Sequence, residues 1–352
     1  MSINNIPIKK HDKKVKRLLC ISGGGVRGLI PIYFLLDLEK DLIASGLYSS
    51  IFDAFDFYAG TSVGSIITGA IVYTEAKNMA ELVDKYFSKE NFQKIFNRTY
   101  IDTVLDLFMN RPKYSGSYKE SLIKEAVGSQ RLCDHNGKHI MFTTYCIDEQ
   151  KAKFFKSYKL PKDILSYQNC FQVTHGSIED TATFLDDDDF TKVAEIVNAS
   201  SAAPSYFPAS EYTDSTGLHV GIDGAIFANN PSDAAYADAL QLYGPKTDIR
   251  ILSIGTGSHH YKRVGPEAIQ WGLEQWVLKG SLLDIILGLN EDVSAYKTKY
   301  FAEALGHAYV FIEKTDDNIE LDDITKIDEL IQMGHEWYLS SKDEVLREIF
   351  DS

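Results

Sequence analysis

The fold is decided near the N-terminus, by the stretch RLLCISGGGVRG at residues 17–28. A short apolar run is stopped there by three consecutive glycines, and a pattern with one wide apolar face follows over residues 29–45. This order predicts a buried strand, a glycine turn and a helix. The N–H groups of such a turn, with the N-terminus of the helix behind it, attract negative charge. The stretch therefore predicts a place for an anion at the end of the first strand.

The same order of elements returns at the pentapeptide GTSVG of residues 60–64, between a predicted strand at 55–59 and a predicted helix at 65–75. In a G-x-S-x-G turn the serine backbone is strained, and the glycines on either side let the turn close. The hydroxyl of Ser62 would then project above the sheet as a candidate nucleophile. Its elbow consists of Gly60, Thr61, Val63 and Gly64.

A nucleophilic serine needs a base, because an unassisted hydroxyl is a poor nucleophile near neutral pH. Asp223 follows an apolar strand predicted at residues 218–222 and precedes Gly224 and Ala225. Burial would raise the pKa of its carboxyl toward neutrality and suit it to take a proton from Ser62. Asp-Gly pairs are also common in plain turns. Alone, Asp223 therefore leaves a base and a turn residue both open.

The remaining chain alternates between helical and strand patterns. Residues 78–127 are predicted to be mostly helical, with further helices at 191–200, 231–243, 266–296 (in pieces) and 324–349, and strands at 140–147, 152–158, 249–254 and 308–312. Such alternation favours an α/β fold with a central, largely parallel sheet flanked by helices. We find no repeat or linker, so we expect a basic tail at residues 1–16 and a single domain over 17–352.

Composition excludes several classes of protein. With 352 residues, 44% of them hydrophobic, the chain can bury a large core. Its formal net charge of −14 argues against binding of a nucleic acid polymer and against strong attraction to anionic lipid. The four cysteines show no C-x-x-C spacing, so we expect reduced thiols and neither a metal nor a cofactor. Without a signal-peptide core or a spanning segment, we expect a cytoplasmic protein, peripheral at the inner membrane when active.

The three motifs G-G-G-x-R-G, G-x-S-x-G and D-G-A, in this order, resemble the patatin-like phospholipase family. Residues 199–208 and the triplet Asn229-Asn230-Pro231 are similar to the family's segments before and after the aspartate. The resemblance thus runs over residues 18–257, and residues 258–352 complete the fold by their α/β pattern alone. Ala225 stands where many members have glycine.

The resemblance implies a three-layer patatin-like fold and a Ser-Asp dyad without histidine, with Ser62 as nucleophile and Asp223 as general base. It implies a phospholipase A type reaction through an acyl-serine, at a phospholipid membrane surface. The oxyanion hole would come from the glycine loop, with the N–H groups of Gly24 and Gly25 as donors and Arg27 close to a substrate phosphate or ordering the loop. The full loop is formed by Gly23, Gly24, Gly25, Arg27 and Gly28.

The chain also resembles bacterial patatin-like effectors, including some that cyclic nucleotides activate in phage defence, so a cyclic nucleotide activator is a further hypothesis. The main alternative is an α/β-hydrolase with a Ser-Asp-His triad, for which His307, His335 and the pair at residues 259–260 are candidates. Another is a module that binds a nucleotide or phosphate without catalysis. A dinucleotide site would need an acidic residue at the end of the second strand, where the sequence instead reads FYAGT at 57–61.

Two further stretches can be interpreted either as functional sites or as ordinary structural elements. The four aspartates at residues 186–189 could bind calcium, but we expect a solvated loop. The apolar stretch at 271–290 could be a lid or a lipid-contacting surface, but we expect a core helix.

Overall fold

The computed structural model describes residues 14–97, 111–160, 190–257, 265–278, 281–314 and 319–351. Within these ranges eight strands form one sheet, in which hydrogen-bonded neighbours follow the order β5-β6-β3-β2-β1-β7-β8, with β4 also paired to β3. The strands are β1 (Val15–Ile21), β2 (Phe57–Gly60), β3 (His139–Cys146), β4 (Lys151–Lys156), β5 (Ser210–Asp214), β6 (Gly217–Asp223), β7 (Asp248–Ile254) and β8 (Ala308–Ile312).

The helices fill the connections between the strands. They are α1 (Leu29–Ala44), α2 (Ile51–Ala54), α3 (Val63–Tyr73), α4 (Met79–Lys85), α5 (Lys89–Ile95), α6 (Ser117–Val127), α7 (Val193–Ser200), α8 (Ala225–Ala228), α9 (Ser232–Tyr243), α10 (Gly265–Ala268), α11 (Ser281–Leu305) and α12 (Ile327–Val345). Shorter helical turns lie at Gly25–Gly28, Glu274–Leu278, Ile324–Lys326 and Leu346–Phe350. Among the described helices, none has the combination of length and hydropathy that crossing a membrane requires.

The central strand β1 shows why the molecule has three layers. Leu19 and Ile21 pack into the core on one face of the sheet, with residues of α1, α3 and α12. Leu18 and Cys20 point to the other face, where they meet residues of α9 and Ala302 of α11. Because successive side chains of a strand alternate between faces, a strand apolar on both faces must be covered on both. The predicted α/β fold with helices on both sides of the sheet is confirmed.

Five strands, β3-β2-β1-β7-β8, are mutually parallel, as predicted. Strand β5 has no apolar pattern that would predict it, because its sequence SEYTD alternates buried and exposed residues but is mostly polar. The direction of β4 and β6, both of which run antiparallel to β3, is likewise not predicted by the sequence.

Among the described side chains of residues 271–290, the expectation of a core helix is not met. No described side chain in this stretch is buried: Trp271 and Trp276 are half-buried, and Leu273 and Leu289 are 74% and 56% exposed. Apolar composition alone does not say whether a helix is covered on both sides. The aspartates at 186–189 and the basic tail up to residue 13 lie outside the described residues, and the single domain over 17–352 stays a prediction.

Candidate active site

Ser62 occupies the sharp turn between β2, which ends at Gly60, and α3, which begins at Val63. Its φ is 56° and its ψ is −123°, a conformation that a side-chain-bearing residue rarely adopts. A Cβ on Gly60 would lie 2.4 Å from the carbonyl oxygen of Gly64, and one on Gly64 would lie 2.1 Å from that of Ile21. Both glycines are therefore needed for the turn to close.

Two strands bring the candidate nucleophile and base together by meeting head-on. Gly60 of β2 lies opposite Phe142 of β3, and Asp223 of β6 lies opposite Thr144. Phe142 and Thr144 both pair with β4 as well, so β2 and β6 must share the other edge of β3. Since β2 is parallel and β6 antiparallel to β3, their carboxyl ends face each other. There Ser62 and Asp223 line one cavity, and interaction with the Ser62 hydroxyl lowers the pKa of the Asp223 carboxyl.

The Asp223 carboxyl is only 2% exposed, and burial raises its pKa to about 6. The rise is opposed by interaction with the Ser62 hydroxyl, by the N–H of Ala225 (2.9 Å to Oδ1) and by the positive charge of Lys119. The group is thus mostly ionised at neutral pH, with a pKa close enough to neutrality to exchange protons with a hydroxyl.

In the glycine loop, the carbonyls are turned away from the site. The Gly23 carbonyl accepts a hydrogen bond from Thr256 Oγ1 (2.7 Å), and the Gly24 carbonyl accepts one from the N–H of Arg27 (3.1 Å). In a trans peptide the N–H points opposite to the carbonyl. The N–H groups of Gly24 and Gly25 have no acceptor in the part of the chain that the structure describes, and both residues line the same cavity as Ser62. The loop therefore offers two donors to a ligand.

A side chain has no room at three glycines of this loop. Gly25 has a φ of +59°, and a Cβ there would lie 2.1 Å from the carbonyl oxygen of Leu321. A Cβ on Gly24 would lie 2.0 Å from Thr256 Oγ1, and one on Gly28 would lie 2.4 Å from Val63 Cγ2. The glycines thus allow the loop to pack directly against the elbow and the neighbouring strand end.

A buried carboxylate on α11 supports the loop from behind. Glu291 accepts hydrogen bonds from Ser22 Oγ (2.7 Å) and from Asn229 Nδ2, and the Asn229 carbonyl in turn accepts the N–H of Gly23 (3.3 Å). Burial raises the pKa of Glu291, while the charge of the buried Arg27 lowers it. Arg27 also lines the cavity, so the charge that lowers the pKa of Glu291 belongs to a residue of the site.

Two threonines connect the elbow to the Asp-Gly turn. Thr61 Oγ1 lies 2.8 Å from Thr143 Oγ1 and donates to the carbonyl of Ala228 at 2.7 Å. A Cβ on Gly224 would lie 2.2 Å from Thr143 Oγ1, so the turn after Asp223 packs directly on β3. This contact fixes the spacing between the two reactive side chains.

The cavity above these residues has a volume of about 90 Å³. Besides the glycine loop, Ser62 and Asp223, its walls are largely apolar and include Phe96, Ala203, Pro204, Tyr206, Phe207 and Ile226. A larger groove of about 780 Å³ lies on the far side of Phe207, lined largely by polar and charged side chains such as Glu120, Lys124 and Glu195. The reactive pair faces the smaller, apolar cavity.

The candidate histidines for a triad are elsewhere. His307 is buried, with Nδ1 2.7 Å from the Tyr236 hydroxyl, and His335 Nδ1 contacts Asp37 on α1. No histidine of the described ranges lines the cavity. The pair at residues 259–260 falls outside those ranges. The triad alternative thus finds no partner for Ser62 among the described residues.

Away from the cavity, the structure brings Glu149 and Asp214 together with His219. The ammonium of Lys153 contacts Asp214 and lies 3.3 Å from Glu149. This buried lysine already compensates the acidic charge, and we assign no metal to the cluster.

Comparisons with known proteins identify the family of this chain and several relatives. A family model described as patatin-like phospholipase matches residues 19–236. Patatin-like protein 1 of Arabidopsis thaliana is 28% identical over 353 residues, covering 91% of this chain and 80% of the relative. The 85/88 kDa calcium-independent phospholipase A2 of Rattus norvegicus is 30% identical over 227 residues, covering 64% of this chain and 23% of the relative.

Among solved structures, human GIVD cytosolic phospholipase A2 in complex with methyl gamma-linolenyl fluorophosphonate aligns with a TM-score of 0.45 and 12% identity, covering 95% of this chain and 58% of that one. The family model by itself spans more than half of the 352 residues. The chain therefore belongs to the patatin-like phospholipase family and is a lipid acyl hydrolase.

Proposed function

We propose that the chain cleaves fatty acyl esters of phospholipids, with Ser62 as nucleophile and Asp223 as its general base. The observation that carries this proposal is that Ser62 and the buried Asp223 carboxyl line one cavity, where interaction with the Ser62 hydroxyl lowers the pKa of the carboxyl. A serine activated by a carboxylate alone needs that carboxylate to have a pKa near neutrality, and burial raises the pKa of Asp223 to about 6.

In the first half of the reaction, Asp223 takes the proton of Ser62 as Oγ attacks the ester carbonyl carbon. The carbonyl oxygen becomes an oxyanion and accepts hydrogen bonds from the N–H groups of Gly24 and Gly25. Collapse of this intermediate breaks the bond to the alcohol oxygen, which takes the proton from Asp223 and leaves as a lysolipid. An acyl-serine remains.

In the second half, Asp223 takes a proton from water as the water oxygen attacks the acyl carbon. The same two N–H groups stabilise the second oxyanion, and collapse returns the proton to Ser62 and releases the fatty acid. Loss of one such donor costs about 2.7 to 4 kcal/mol of transition-state stabilisation in a comparable hydrolase. The orientation of the glycine loop therefore matters nearly as much as the nucleophile. We assign Arg27 to ordering this loop, through the charge of Glu291.

The small cavity suggests how a lipid binds. Its volume of about 90 Å³ is well below the roughly 300–1,000 Å³ of pockets that enclose whole ligands. We propose that it holds the ester group while the acyl chain extends over the apolar rim. Asn290 donates a hydrogen bond to the carbonyl of the rim residue Ile226 (3.1 Å), and its neighbour Leu289 is 56% exposed. This apolar surface beside the cavity suits contact with a phospholipid membrane.

The experiment is release of fatty acid from phosphatidylcholine vesicles by the native chain and by Ser62→Ala. Loss of a catalytic nucleophile lowers turnover by about 10⁴-fold or more, so we expect no release above background from Ser62→Ala. The matched control is Ser341→Ala on α12, which should match the native rate. Equal release by the native chain and Ser62→Ala would refute the proposal.

Activation by a cyclic nucleotide, with a role in antiviral defence, stays a prediction of the resemblance. The same vesicle assay with and without a panel of cyclic di- and trinucleotides tests it. We expect stimulation by one member of the panel, and full activity without any of them would contradict the switch.

A further inference from the structure

Lys119, in the first turn of α6, points inward. It is only 5% exposed, and its Nζ donates hydrogen bonds to the carbonyl (2.9 Å) and hydroxyl (2.8 Å) of Ser201 and to the carbonyl of Asn198 (3.2 Å). The ammonium also lies 4.8 Å from the centre of the Phe207 ring. All its acceptors belong to the C-terminal end of α7, where the helix dipole favours a cation.

The burial of this ammonium is unusual because no described carboxylate lies within ion-pair distance of it. Its neighbour Lys124 on the same helix is exposed and paired with Glu120 in the ordinary way. An ammonium removed from water without a carboxylate partner is costly even when hydrogen-bonded. A residue kept at such a cost is a candidate for a role in function.

The segment that Lys119 holds also contacts both members of the reactive pair. Ser200 Oγ accepts the N–H of Ser62 at 3.2 Å, and the carbonyl of Ala202 accepts the N–H of Asp223 at 3.1 Å. Ser201, which accepts hydrogen bonds from Lys119, lies between these two residues in the chain. A shift of this segment would therefore move Ser62 and Asp223 relative to each other.

We propose that Lys119 is a positioning residue, whose buried ammonium pins residues 200–202 beneath the Ser62–Asp223 pair and places a positive charge on the side of the site that holds the base. This inference rests on the proposed dyad. It assigns Lys119 no contact with substrate.

The charges around Lys119 agree with this role. Burial lowers its pKa to about 7, while the charges of Asp223 and Glu120 raise it. Reciprocally, the charge of Lys119 lowers the pKa of Asp223. The other charged groups nearby, Lys124 on α6, Lys192 and Glu195 beside or on α7 and Glu211 on β5, line the outer groove. Removal of the Lys119 charge should therefore raise the pKa of Asp223.

The experiment compares Lys119→Gln, which keeps donors but loses the charge, with Lys119→Arg and with the matched control Lys124→Gln. The readout is kcat/KM on phosphatidylcholine vesicles from pH 5 to 8, expressed per Ser62 site that a fluorophosphonate titrates, so that only folded molecules count. We expect Lys119→Gln to lower kcat/KM by about 10- to 100-fold, as small misplacements of reacting groups do. The acidic limb of its pH–rate profile, where kcat/KM falls toward low pH, should move to higher pH. Lys119→Arg should restore the position of that limb, and Lys124→Gln should leave both unchanged.

An acidic limb that stays in place in Lys119→Gln would overturn the inference. Should that variant not fold, Ser201→Ala removes one contact of the ammonium but keeps the charge. Ser201→Ala should then lower kcat/KM without moving the acidic limb of the pH–rate profile. A native kcat/KM in Ser201→Ala would count against the pinning role. If the native chain itself is not labelled at Ser62, the proposed dyad fails first. If it is labelled and Lys119→Gln behaves as native, only the role of Lys119 fails.

Discussion

The strands β2 and β6 end at the same edge of β3, yet they deliver their reactive residues at different costs. The parallel strand β2 leads into Ser62, whose backbone is held at a φ of 56°, so the cost is conformational. The antiparallel strand β6 ends at Asp223, whose carboxyl is buried with a pKa near 6, so the cost is desolvation. We call the Ser62 turn with the glycine loop the steric half of the site, and Asp223 at the end of β6 the charged half. Substitutions should lower activity by steric clash in the steric half, and by a change of charge and pH dependence in the charged half.

The largest effect should come from Asp223→Asn, which breaks the charged half. We expect activity to fall by about 10³- to 10⁴-fold, as for removal of a supporting carboxylate in a serine hydrolase. We also expect a gain in stability. Because the folded pKa of about 6 exceeds the ordinary value of 3.8, the folded state keeps its proton to higher pH, and Asp223 destabilises the fold as pH rises between these values.

The difference of about two pKa units corresponds to about 3 kcal/mol, present above pH 6 and absent below about pH 4. Urea unfolding of the native chain and Asp223→Asn at pH 4 and pH 7.5 measures this gain. The exposed Asp343→Asn is the control and should show no such pH-dependent difference. A variant that is less stable than native at pH 7.5 would contradict the desolvation account.

A smaller effect is expected from Gly25→Ala, which breaks the steric half. The new Cβ would combine a φ of +59° with a contact of 2.1 Å to the carbonyl oxygen of Leu321, and the loop must move to relieve it. Loss of an oriented N–H should lower kcat by about 10²- to 10³-fold. Gly46→Ala is the matched control, since its φ is +71° but its added Cβ meets open space.

Gly46→Ala should destabilise the fold by about 1 to 2 kcal/mol through backbone strain while keeping the native rate. Rates on vesicles and urea midpoints for both variants separate strain from displacement of the loop. If the two variants lose activity equally, the contact with Leu321 is not what positions the donors.

The smallest effect should follow from uncoupling the two halves with Thr143→Val, which keeps the shape of the side chain. The hydroxyl between Thr61 and the turn of Gly224 is lost, so we expect about 1 kcal/mol of destabilisation and a several-fold drop in kcat. Thr298→Val removes an equally buried hydroxyl on α11, where Oγ1 bonds to the carbonyl of Ser294. It should cost similar stability and leave kcat unchanged, and a lower kcat there would show that stability alone sets the rate.

The sequence predicts the steric half of the site well, because its signals are local. Glycines at fixed offsets from Ser62 and a change from strand to helix periodicity are enough to place the elbow and the glycine loop. The meeting of β2 and β6 on one edge of β3 is not readable in this way. It depends on pairing between segments far apart in the chain, and the polar strand β5 beside β6 carried too little apolar pattern to be found.

The supporting residues also escaped prediction. Thr256 holds the carbonyl of Gly23 from 233 positions away, and Lys119 reaches Ser201 from 82 positions away. Each is an ordinary polar residue in its local sequence, so only the tertiary structure reveals what it contacts. The unmet expectation for the described side chains of residues 271–290 has the same origin, since apolar content does not tell which neighbours cover a helix.

The most direct test of the Ser62–Asp223 pair is the rate at which a fluorophosphonate modifies the chain as a function of pH, with the modified residue identified by peptide mass. The account predicts a single adduct on Ser62, formed at a rate that rises through about pH 6 as Asp223 ionises, and no adduct in Asp223→Asn on the same time scale. Equally fast labelling of Ser62 in Asp223→Asn, or labelling of another residue, would contradict it.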